Sequence, residues 1–117
     1  MNFAQSAHRL TLVVGEADAD ARVRVGLIGE LDFDEADRLR DAVDGAIEQF
    51  GPAHVALDAT ELAFLDSAGI RALLQCRDSA EKVGATLSVE GVSPIVHQVL
   101  RVTELLEYLR VTTVVDV

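Results

Sequence analysis

The stretch from Asp58 to Leu74, DATELAFLDSAGIRALL, constrains this chain more than any other, because a strand end, an apolar connection and a helix start are compressed into it. Before it, His54 to Asp58 reads as a short buried strand whose apolar residues stop at the aspartate. After it, Ile70, Leu73, Leu74, Ala80 and Val83 recur at helical spacing, which predicts a helix over Ala68 to Val83 with Asp66-Ser67 at its cap. A serine at such a cap can accept a hydrogen bond from a free N–H of the first turn, and the positive end of the helix dipole lies behind it. Its hydroxyl is then expected to be exposed, fixed in position and well situated to carry a phosphate.

Most Asp-Ser pairs ahead of an apolar periodic run are plain helix caps, and two details point beyond that. Leu62, Phe64 and Leu65 make the preceding loop apolar, so it folds back onto the core and holds the cap. Gly69 falls in the first helical turn, although a glycine costs about 1 kcal/mol against alanine in a helix interior and less near an end. On this reading it bares the backbone beside Ser67 to a close-approaching partner.

The rest of the chain alternates between strand and helix patterns. Arg9 to Val14 and Ala21 to Gly29 read as the first two strands, the second with Val23, Val25 and Leu27 alternating against Arg22, Arg24 and Gly26. The GEADAD connection between them lacks the third carboxylate, the glycine and the terminal glutamate of a calcium loop, and reads as a solvated turn. A helix follows from about Phe33 to Phe50, with Asp32 and Glu35 resembling a cap and a reaching acid. Its inner face is Ala36, Leu39, Val43, Ala46, Ile47 and Phe50, and Gly51-Pro52 stops it. Thr86 to Glu90 reads as a further strand, and Ser93-Pro94 opens a helix with Ile95, Val96, Val99 and Leu100 inward. A short helical turn from Thr103 to Leu109 and an edge strand over Val111 to Val115 complete the pattern. The fold class is α/β: a small mixed sheet of four to five strands covered by about four helices.

Composition limits function. The 117 residues make one domain, 1–117, able to bury a sizeable core; half are hydrophobic but only 4% aromatic, so that core is aliphatic. A net charge of -10 argues against nucleic acid and anionic lipid as partners, and favours a protein with a basic face. No signal peptide and no apolar run near the ~18 residues of a membrane span is present, so the expected location is the cytoplasm. The single cysteine, Cys76, reads as a small core residue, with no second ligand at metal-binding spacing. No cofactor is expected. A Walker loop is absent, since the only lysine, Lys82, lies inside a helix pattern. A hydrolase elbow would need a glycine at Leu65, and His8, His54 and His97 fall on separate elements, so serine hydrolysis is the weakest alternative.

The Asp58 to Ile70 stretch resembles the signature of the STAS domain in its anti-sigma factor antagonist branch: an aspartate-ended strand, a short apolar loop, then Asp66-Ser67-Ala68-Gly69-Ile70. Gly29-Glu30-Leu31-Asp32, followed by Ala36, Leu39 and Arg40, is similar to the same family's GELD segment. The resemblance implies that Ser67 is the phosphorylated residue and that Asp32, Asp66, Ser67, Ala68, Gly69 and Ile70 belong to the partner-binding surface. It implies a serine-kinase anti-sigma factor as the partner, released sigma factor as the outcome, and a transient serine/threonine phosphatase to reset the switch; nucleotide and magnesium belong to the kinase. Asp66 then has two readings, support for the cap or orientation toward the kinase. The family's Thr/Ser-Gly-Leu is replaced by Thr103-Glu104-Leu105, which puts the left-handed turn there in question. Single-domain STAS proteins also serve as subunits of lipid-transport ATPases, where binding needs no phosphorylation, and that is the alternative function.

Overall fold

The computed structural model describes residues 8–114. Five strands form one mixed sheet in the order β1-β2-β3-β4-β5: β1 (Leu10–Val14), β2 (Arg22–Leu31), β3 (His54–Leu65), β4 (Thr86–Val92) and β5 (Val111–Thr113). β1 is antiparallel to β2, and the remaining neighbours are parallel. The crossovers are α1 (Ala36–Phe50), α2 (Ser67–Lys82) and α3 (Pro94–Val102). With the parallel strands in sequential order, right-handed crossovers bring the helices to one face of the sheet. Val23, Val25 and Leu27 of β2 and Leu57 of β3 are fully buried there, in one core with Leu39 and Val43 of α1, Leu73 of α2 and Leu100 of α3. On the opposite face, Arg22 pairs with Glu90 at 2.7 Å, and His54 hydrogen-bonds Thr86 and Ser88.

Several expectations are corrected. The apolar connection after Asp58 is a continuation of β3, paired with β2 as far as Leu31 and Leu65. Two register shifts each place one extra residue on β3, so Leu57, Ala59, Leu62 and Leu65 all turn inward although their spacing departs from strict alternation. The first helix starts at Ala36, three residues later than Phe33, and Glu35 makes no side-chain cap. Instead Glu35, only 3% exposed, accepts hydrogen bonds from Arg38 at 2.6 Å and from the Arg9 backbone N–H at 3.1 Å, tying the start of α1 to the start of β1. There are three helices among the described residues, not about four, because 103–110 forms turns. Glu104 and Arg110 interrupt any helix there with φ of 61° and 49°. The left-handed turn is thus retained without the family glycine. Ile95, expected inward, is 67% exposed, while Val96 and Leu100 are buried as expected. The last strand covers Val111–Thr113; Val115 lies outside the described residues. Arg77, on the apolar arc of α2, stacks over the Tyr108 ring at 3.7 Å and donates to the Tyr108 carbonyl, anchoring the 103–110 turns.

Candidate functional site

The two motifs meet at the carboxyl ends of β2 and β3, where Asp66 joins them. Its backbone is extended (φ -107°, ψ -171°), which makes it the N-cap of α2 and leaves Ser67 as the first helical residue. One Asp66 carboxylate oxygen accepts the Gly69 N–H at 2.9 Å, and the other accepts the Phe33 N–H at 3.3 Å. The Asp66 N–H in turn donates to the Leu31 carbonyl at 3.3 Å. The capping role expected of the serine therefore belongs to the aspartate, and the Ser67 hydroxyl is exposed and makes no hydrogen bond among the described residues.

Gly69 also has a different role from the one expected. It is buried, and a Cβ there would lie 2.4 Å from the Leu31 carbonyl oxygen. The missing side chain lets α2 approach the end of β2, so this backbone is covered by Leu31 and not bared to a partner. Ala68 is half-buried beside Ser67, and Ile70 is half-buried with its side chain against the core.

Asp32 makes no hydrogen bond to Ser67 among the described residues. Its carboxylate accepts from Arg9 Nε at 2.7 Å and from the Asp34 N–H at 3.1 Å, closing the turn that leads into α1. Partial burial raises its pKa, but the Arg9 guanidinium and the N–H donors outweigh that and hold the carboxyl below the usual range. Asp58 is not part of the site: it sits seven residues before the end of β3, some 20 Å away at strand rise. It faces Arg24 at 3.8 Å on the open side of the sheet. Two cations outside the expected site residues, Arg71 and Arg40, share a groove between α1 and α2 with Ser67. Seeing this required the packing of α1 on α2, although the Ser67/Arg71 spacing was visible in the sequence.

Other reactive groups lie elsewhere. Cys76 is buried in the core and its thiol is pushed up to about 12 by burial, a state far from nucleophilic. His54 opens β3 while Ser67 follows its far end, His8 contacts Glu35, and His97 lies on α3; none hydrogen-bonds Ser67 among the described residues. No helix among the described residues is long and apolar enough to cross a membrane.

Comparison with known proteins agrees with this architecture. A protein "Anti-sigma F factor antagonist" from Paenibacillus polymyxa is 34% identical over 76 residues, which cover 65% of this chain and 65% of that one, so the match spans just under two thirds of the relative's length. Among solved structures, the anti-sigma factor antagonist SpoIIAA in its unphosphorylated form superposes with a TM-score of 0.73 at 23% identity, covering 88% of this chain and 89% of that one. The phosphorylated form of the Bacillus protein gives 0.66 at 22% identity, with 88% and 92% covered. A sulfate transporter family protein from Wolinella succinogenes gives 0.70 at 29% identity, covering 82% and 80%. A family model described as "Mlab, STAS domain" matches residues 14–112, which takes in every strand except the first four residues of β1 and the end of β5, and on that match the chain belongs to the STAS domain family.

Proposed function

We propose that the chain is an anti-sigma factor antagonist, a binding module and not an enzyme. Unmodified, it binds a serine-kinase anti-sigma factor and frees a sigma factor; phosphorylation of Ser67 ends the binding, and a serine/threonine phosphatase restores it. The observation that carries this reading is the exposed, unbonded Ser67 hydroxyl at the first position of a 16-residue helix whose cap is supplied by Asp66. A phosphate added there breaks no internal hydrogen bond and meets the favourable end of the helix dipole. It adds about -1.5 to -2 charges at neutral pH, to a chain already at -10. A thousandfold loss of affinity needs only about 4 kcal/mol, within the range of a desolvated like-charge clash or a blocked contact. The relative named as an anti-sigma F factor antagonist, and the neighbour known in phosphorylated and unphosphorylated forms, support the reading.

The partner-binding surface on this account is Asp32, Asp66, Ser67, Ala68, Gly69 and Ile70, with Asp66 and Gly69 shaping it from beneath and Ser67 and Ala68 presenting it. The second reading is a STAS subunit of a lipid-transport ATPase that binds without phosphorylation; the likeness to a sulfate transporter family protein is the observation on its side. A pull-down from native cytoplasm with and without ATP separates them. Recovery of an anti-sigma kinase, lost on addition of ATP as the bait gains the mass of one phosphate, supports the switch. ATP-insensitive recovery of transporter subunits with an unmodified bait overturns it.

A further inference from the structure

We infer that Arg71, assisted by Arg40, is an internal receptor for the phosphoryl group of phosphorylated Ser67, an inference that rests on the reading of Ser67 as the phosphoacceptor. Ser67 and Arg71 stand one turn apart on α2 and line the same groove, and because side chains on a helix lean toward its N-terminus the Arg71 guanidinium can reach over the turn that holds Ser67. Arg40 reaches the same groove, of about 630 Å³, from α1. Arg71 is exposed and forms neither an ion pair nor a side-chain hydrogen bond among the described residues, unlike Arg77 on the same helix, which pairs with Glu81. Arg40 contacts Asp37, and its buried Nε has no hydrogen-bond partner among the described residues.

The two carboxylates that line this groove, Asp34 and Asp37, and the capping Asp66 beside it are already engaged. Asp34 is bound by Arg9 at 3.0 Å, Asp37 by Arg40, and Asp66 spends its two oxygens on the Gly69 and Phe33 N–H groups. Arg71 is the cation left over, beside the one exposed hydroxyl of the helix start. A phosphoserine dianion there draws Arg71 into a charge-assisted pair, and the Arg40 guanidinium, which lines the same groove, adds positive potential. Phosphorylation then fixes the Arg71 side chain over the start of α2 while adding negative charge to the docking surface.

The test needs no kinase. Phosphoserine is encoded at position 67 of the full chain, and the second pKa of its phosphate is read by phosphorus NMR across a pH titration. The phosphate of the parent is expected to titrate about one unit below that of the Arg71→Gln variant. Arg40→Gln should give a smaller shift in the same direction, and Arg71→Lys should keep most of the parental value. Circular dichroism of the unphosphorylated variants verifies that they are folded. Equal values in the parent and Arg71→Gln overturn the inference. Should a kinase fail to modify Ser67, the functional reading falls while this titration still stands on its own result.

Discussion

Replacing Gly69 by alanine tests the packing that holds the site together. The new Cβ would lie 2.4 Å from the Leu31 carbonyl oxygen and 3.0 Å from Leu31 Cγ. The first contact is with backbone, about 1 Å inside ordinary van der Waals separation, and no rotamer change relieves it. The start of α2 must therefore move away from β2, straining the Asp66 bond to Phe33. Overpacking of this kind costs about 1–3 kcal/mol, offset by at most about 1 kcal/mol of helix propensity. The net loss is about 1–2 kcal/mol, and in a domain of this size Tm should fall by roughly 3–10 °C. Gly45 is the control: it is exposed in the middle of α1, and a Cβ there meets nothing within 4 Å. Gly45→Ala should stabilise by about 0.5–1 kcal/mol. Thermal melting of the two variants should thus show opposite signs, and a Gly69→Ala protein that melts at or above the parent refutes the close approach.

Asp66→Ala removes the cap and the link to Phe33 and should cost about 1–2 kcal/mol in urea unfolding, whereas Ser67→Ala should stay within about 0.5 kcal/mol of the parent; equal losses would return the cap to the serine. Glu104→Gly should raise stability by about 0.5–1 kcal/mol, because the left-handed conformation costs a non-glycine residue about 1–2 kcal/mol and glycine's extra chain entropy cancels only part of it; a lower unfolding midpoint would contradict this. Burial raises the pKa of Glu35, but its bonds from Arg38 and the Arg9 N–H outweigh that and hold it below the ordinary value of 4.5. Its contribution to stability is therefore complete above about pH 4.5 and is lost as pH falls through the depressed folded value. Glu35→Gln should flatten the acid limb of a stability profile measured by urea unfolding from pH 7 to 3, and an unchanged slope would count against the pairing.

The parts of the fold that were legible are those in which one periodicity runs unbroken. Leu39, Val43 and Ala46 of α1 and Val23, Val25 and Leu27 of β2 are buried as their spacing implies. The second half of β3 was not legible, since two bulges change the spacing of its inward residues from two to three and imitate a loop. Glu35 is ambiguous in the sequence because an acid three residues after an aspartate has the same pattern whether it reaches back to cap a helix or is buried against Arg38. At the site, Asp66 and Ser67 are both good capping residues, and only the extended backbone at Asp66 decides between them. Arg40 could not be associated with Ser67 from the sequence, because the groove they share exists only once α1 packs on α2.

In the proposed switch a phosphate on Ser67 governs partner binding while the fold stays unchanged. Its most direct measurement is the affinity of the purified partner kinase for the unmodified chain and for the chain carrying phosphoserine at position 67, by isothermal titration calorimetry, alongside the circular dichroism spectrum of each. Superimposable spectra are expected, with a dissociation constant raised on the order of a thousandfold by the phosphate. Equal affinities for the two forms, or loss of the folded spectrum on phosphorylation, would contradict it.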